Sequence, residues 1–207
     1  MRWLAALLAA VAVSAAETPG IFYSKSLPGS IPPYVEITVG KTGSAVFNDT
    51  PAGDDPIRFQ LSESETAAIY GLAGKLDYFS RPLESGLKVA NMGQKTFRFE
   101  DGSKKFEARF NYSQDPDAQL LLDWFERINE TVGHRINLER SAKFDRLGVD
   151  RAMLLLQVSV ERNRIVAGEM LLPVLDRIAG NGGYINRARE RAADIAQIIR
   201  AGAAKPK

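Results

Sequence analysis

Residues 96–125 read TFRFEDGSKKFEARFNYSQDPDAQLLLDWF, and the pattern changes period halfway along. Phe97 and Phe99 alternate with Thr96, Arg98 and Glu100. Phe106, Ala108, Phe110 and Tyr112 then alternate with Lys105, Glu107, Arg109 and Asn111. Period two places the aromatic residues on one face of a sheet and the charges on the other. Asp101-Gly102 between the two runs suits a type I′ hairpin turn. After Ser113 the alternation stops. Asp115-Pro116 caps and opens a helix whose apolar residues, Leu121, Trp124, Phe125, Ile128, Val132 and Ile136, recur every three or four positions. Strands come first and helices afterwards, which argues for an α+β fold and against a parallel α/β sheet.

Toward the N-terminus, residues 80–93 are irregular, with a short strand expected at Leu87 to Ala90. Before them, Ser62 and Glu65 form a capping box that opens a helix with an apolar stripe of Ala68, Ile69, Leu72, Leu76 and Phe79, closed by Pro82. Gly71 and Gly74 cost this helix about 1 kcal/mol each relative to alanine, so close packing on the sheet is expected there. Earlier still, Val35, Ile37 and Val39, then Ala45 and Phe47, then Ile57, Phe59 and Leu61 alternate with polar residues, predicting three antiparallel strands. The expectation for residues 34–113 is an antiparallel sheet of about five strands packed on one helix. Residues 17–33 hold Pro19, Gly20, Pro28, Gly29, Pro32 and Pro33 and read as a Pro/Gly-rich lead-in.

Toward the C-terminus, residues 115–200 read as an all-helical half. Asp150 is placed to cap a greasy helix at Met153 to Val160. Ile165 to Ala179 is helical around Pro173, and Asn181-Gly182-Gly183 is a loop. Tyr184 to Arg200 forms the last helix, with Ile185, Ala188, Ala192, Ile195 and Ile199 on one face. Residues 201–207 are expected to fray.

Residues 1–16 have the order of a secretory signal peptide: Arg2, the apolar run Trp3 to Val13, then small residues with cleavage near Ala15 or Ala16. Eleven apolar residues are short of the about 20 that span a bilayer, so the mature chain carries no stable membrane span on this reading. The expected location is the periplasm or the extracellular medium.

Hydrophobic residues make up 45% and charged residues 25% of the 207, the balance of a globular chain with its own core. The chain has no cysteine, which removes disulfides, thiolate metal sites and cysteine nucleophiles. The single histidine, His134, leaves His-rich zinc sites without ligands. A net charge of +2 gives no argument for nucleic acid.

Two catalytic motifs are present in fragments. Gly40-Lys41-Thr42 ends like a P-loop, but Val35 stands where the first glycine belongs, and a strand follows rather than a helix. Lys41-Thr42-Gly43 with Ser85-Gly86-Leu87-Lys88 echoes the penicillin-recognising serine enzymes. The order is reversed, however, and no S-D-N element exists. A hairpin tip explains Lys41 and Thr42 better, with Gly43 closing the turn. His134 lacks a G-x-S-x-G partner and reads as a solvated helix residue. The carboxylate pairs Asp54-Asp55 and Asp115/Asp117 fit a turn and a helix cap. No catalytic, metal or cofactor set is assigned.

The stretch LLPVLDRIAGNGGYINRARERAADIAQII, residues 171–199, resembles a single HEAT-type helical repeat: a Pro-started first helix, an Asp-Arg pair, a loop and an Arg/Ala-rich second helix. A solenoid needs about three such repeats, and no second copy is found. LESGLKVANMGQKTFRFEDG, residues 83–102, resembles uncharacterised exported bacterial proteins, and that resemblance implies no activity and no site residues. The expectation is an exported, non-enzymatic interaction or scaffold protein that meets a protein partner through the C-terminal helices. The alternative is a periplasmic or secreted hydrolase or small-ligand carrier with a site where the two halves join, near Ser85 to Lys95.

Overall fold

A computed structural model describes residues 20–203 apart from residue 52. The fold is α+β, as the change of period predicts. Six antiparallel strands form one sheet: β1 (Gly20–Ser26), β2 (Tyr34–Gly40), β3 (Ser44–Asn48), β4 (Ile57–Gln60), β5 (Gln94–Asp101) and β6 (Lys104–Phe110), in the order β4-β3-β2-β1-β5-β6. The helices are α1 (Glu63–Lys75), α2 (Pro116–Phe144), α3 (Gly148–Glu161), α4 (Leu172–Gly180) and α5 (Asn186–Ala203). Short 3-10 turns lie at Asp77–Phe79 and Gly168–Leu171.

Alternation fixes the two sheet faces. Ile21 and Tyr23 on β1, Val35, Ile37 and Val39 on β2, Ala45 and Phe47 on β3, and Phe97 and Phe99 on β5 are all buried. The outer face is polar and laced with ion pairs, with Glu100 taking Arg98 at 3.0 Å and Lys105 at 2.8 Å. The Arg98 guanidinium lies 4.0 Å from the Phe22 ring centroid.

The long helix α2 joins the sheet to the other helices. Its 29 residues extend about 43 Å at 1.5 Å per residue. Near its start Phe125 stacks on Tyr23, with centroids 4.7 Å apart and planes 13° from parallel. Phe97 sits within 5.9 Å of Phe125 and 5.2 Å of both Phe79 and Phe110. Farther along, α2 packs on α3, so buried residues of the sheet and of all the helices form one continuous core.

Several expectations are corrected. Residues 17–33 are more than a lead-in, because β1 occupies the middle of the sheet with β2 on one side and β5 on the other. Its sequence GIFYSKS alternates, but the surrounding Pro and Gly masked it. The sheet therefore has six strands. Leu87 to Ala90 forms no strand. Helix α1 ends at Lys75, well before Pro82, because Asp77, Tyr78 and Phe79 take positive φ of 51°, 50° and 71°. That reversal swings Phe79 into the core. A side chain at Gly71 would meet open space, and one at Gly74 would touch Tyr78, so neither glycine marks contact with the sheet. At the β5–β6 turn only Gly102 has positive φ (57°), whereas type I′ needs it at both central residues. Phe106 is 38% exposed on the edge strand rather than buried. Helix α5 runs through Ala203. The expected signal peptide lies outside the described residues.

Candidate interaction surfaces

The irregular segment between α1 and β5 is held by polar bonds. Glu84 accepts the backbone N–H of Asn111 at 2.6 Å, and these backbone bonds hold its carboxyl below the usual range. The Asn111 side chain accepts from Met92 N at 2.7 Å and donates to Ala90 O at 2.9 Å. Lys95 is 3% exposed, and its ammonium donates to the carbonyls of Met92, Gly93 and Asn111 at 3.1, 3.0 and 2.7 Å. Burial pulls the Lys95 pKa down. Ser85 Oγ accepts from Leu87 N and faces Glu84, which makes it part of a local turn. Ser85 and Lys95 thus serve the loop itself rather than converging on a cleft. The braced loop presents Leu87, Val89 and Met92 to solvent.

A second exposed apolar cluster lies at one end of the helices. Lys143, Phe144, Asp145, Arg146 and Leu147 are five consecutive exposed residues at the elbow between α2 and α3. Phe144 is 75% and Leu147 87% exposed. The loop before α5 reaches the same end, because Tyr184 donates to the Ala142 carbonyl at 3.0 Å and Arg146 stands against Gly183. Ile185, expected on the buried face of the last helix, is therefore half exposed beside the elbow. Leu154 and Leu155 on α3 are also half exposed. Among the described residues, Arg140, Lys143, Arg146 and Arg151 make no ion pair, whereas neighbouring carboxylates are engaged. Asp145 accepts from Gly148 N at 2.9 Å, Glu139 pairs with Arg135, and Asp150 pairs with Arg187 and Arg191. Asp150, expected as a helix cap, thus ties α3 to α5 instead. Sequence reading missed the elbow; its signal is a Phe and a Leu lying off both helical stripes among basic residues.

The remaining candidates have structural roles. Lys41 pairs with Asp101 at 3.0 Å at the tip of the β2–β3 hairpin, and Gly43 carries the positive φ (81°) that closes it. Lys41 and Thr42 line one wall of a shallow depression of about 430 Å³, with Gln60, Glu63, Thr66 and Tyr70 across from them. Asp115 caps α2 and takes Arg81, which holds its carboxyl below the usual range. His134, expected in solvent, is mostly buried between α2 and α3. Its Nε2 lies 2.9 Å from Ser159 Oγ. Ser159 donates to Glu130 at 2.6 Å, and Glu130 also takes Arg164 at 2.9 Å. The Ser159 proton is used on Glu130, so Nε2 of His134 is the donor to Ser159. In a catalytic triad the acid would orient the far nitrogen of the imidazole; here it holds the serine itself. With Ser159 6% exposed, this is an interhelical polar network. Among the described residues no group of three or more His, Cys, Asp or Glu could hold a metal. No helix among them is long and apolar enough to cross a membrane.

No protein-family model matches the chain, and a search of curated proteins gave no match.

Proposed function

We propose that this is an exported, non-enzymatic interaction protein that meets its partner through the helical half. The observation that carries the reading is the elbow, where Phe144 and Leu147 stand 75% and 87% exposed beside the ion-pair-free cations Lys143 and Arg146. Isolated exposed apolar residues are ordinary on any surface, but a cluster drawn from two segments of the chain marks an interaction site. Export is supported by the charge, apolar run and small residues of positions 1–16. A second reading, a small-ligand carrier, is favoured by the depression that Lys41 and Glu63 border.

Tagged protein recovered from its native host tests the reading. The wild-type chain should retain a partner that F144S/L147S loses by at least about tenfold, since an exposed apolar anchor contributes about 1.5–3 kcal/mol when fully buried. A partner bound equally by both, or a tightly held small molecule in place of one, would reverse the order of the two readings.

A further inference from the structure

We propose that the helical elbow docks on an anionic bilayer surface, with Phe144, Leu147 and Ile185 entering the headgroup region and Lys143 and Arg146 meeting lipid phosphates. The inference rests on the reading of the elbow as an interaction site and names what it meets. Shape and charge both favour a bilayer. The five residues 143–147 are all exposed, so the elbow is a protruding turn rather than a groove. A protruding apolar turn suits a medium that flows around it. Lys143 lies 4.9 Å from the Phe144 ring centroid, an aromatic and a cation together at one depth. Phe and Leu enter at the apolar side of interfacial elements, and Lys reaches from there toward phosphate. Arg140 and Arg151 extend the unpaired positive charge along α2 and α3, so that the cations outnumber Asp145, the one acid in the turn, which accepts from Gly148 N. Each cation brought near an anionic leaflet strengthens binding by about fivefold.

The chain has no native cysteine, so one label can be placed at the elbow. The probe is an environment-sensitive fluorophore on L147C in the full chain, titrated with vesicles of phosphatidylcholine alone or with about a third phosphatidylglycerol. The label reads only its own surroundings, so lipid contact made by residues 1–16 does not register there. The expected result is a blue shift with anionic vesicles and none with neutral ones. K143Q/R146Q in the same chain should weaken it by at least about tenfold, and a label on L87C, in the braced loop, should not respond. Position 147 is 87% exposed, so the label leaves the fold intact. Absence of a blue shift with anionic vesicles overturns the inference, as does an equal shift with neutral ones. In either case, capture of a partner by wild type and its loss in F144S/L147S still decides the interaction reading separately.

Discussion

Glu65 accepts the backbone N–H of Ala167 at 2.9 Å through one carboxylate oxygen. Through the other it accepts the N–H of Ser62 at 2.8 Å, completing the capping box of α1. One side chain therefore caps a helix beside the sheet and holds the turn that leads into α4. Ala167 sits at φ 53°, a conformation that costs a non-glycine residue energy unless its surroundings hold it. Removing the carboxylate in E65A sacrifices the cap and a charge-assisted bond together. The expected loss is about 2 kcal/mol, read as a lower midpoint in urea unfolding. E65Q keeps one acceptor and should lose less.

The continuous core predicts one cooperative unit. Phe125 contacts Tyr23 and Phe97 across the sheet–helix boundary, so F125A should cost about 3–5 kcal/mol. The amides of Tyr23 on β1 and Leu156 on α3 should lose hydrogen-exchange protection together. Separate loss at the two sites would mean that sheet and helices open independently.

His134 predicts a pH dependence with a definite sign. Burial holds its pKa below the ordinary 6.5, although Glu130 pulls the other way. Above pH 6.5 the ring is neutral in both states and contributes nothing. As pH falls through that value, the unfolded chain takes a proton that the folded chain resists, and stability drops. Glu130 continues the trend at lower pH, because Ser159 and Arg164 hold it below its ordinary 4.5 despite burial. Thermal melts at about pH 7.5 and 5.5 should show a larger drop for wild type than for H134Q, whose amide can still donate to Ser159.

Lys95 predicts a local defect. K95M replaces an ammonium that satisfies three carbonyls with a side chain that satisfies none. The cost should be about 2–4 kcal/mol. Amide exchange should rise most at residues 90–93, beyond the smaller common rise that the lost stability brings to the rest of the core.

Most of the fold could be read from local pattern. The switch from period two at Phe97 and Phe110 to period three-four at Leu121 and Phe125 separates sheet from helix without any long-range information. The Ser62–Glu65 box and the Asp115 cap likewise involve neighbours only a few residues apart. What escaped the sequence depends on distant partners. Strand β1 alternates over only a few residues, and its place in the sheet is set by pairing with residues 94–100. The burial of His134 depends on Ser159, 25 residues away, and the second bond of Glu65 on Ala167, 102 residues away. The elbow was hidden for a related reason. Phe144 and Leu147 lie off the helical stripes, but only the fold shows that no other segment covers them.

A photo-crosslinking amino acid placed at Leu147, with Thr38 on the solvated sheet face as the control position, tests in the native host whether the elbow is an interaction surface. The elbow should yield a discrete adduct, whose mass tells lipid from protein, and Thr38 should not. No adduct from Leu147, or the same adducts from both positions, would mean that the elbow is not an interaction surface.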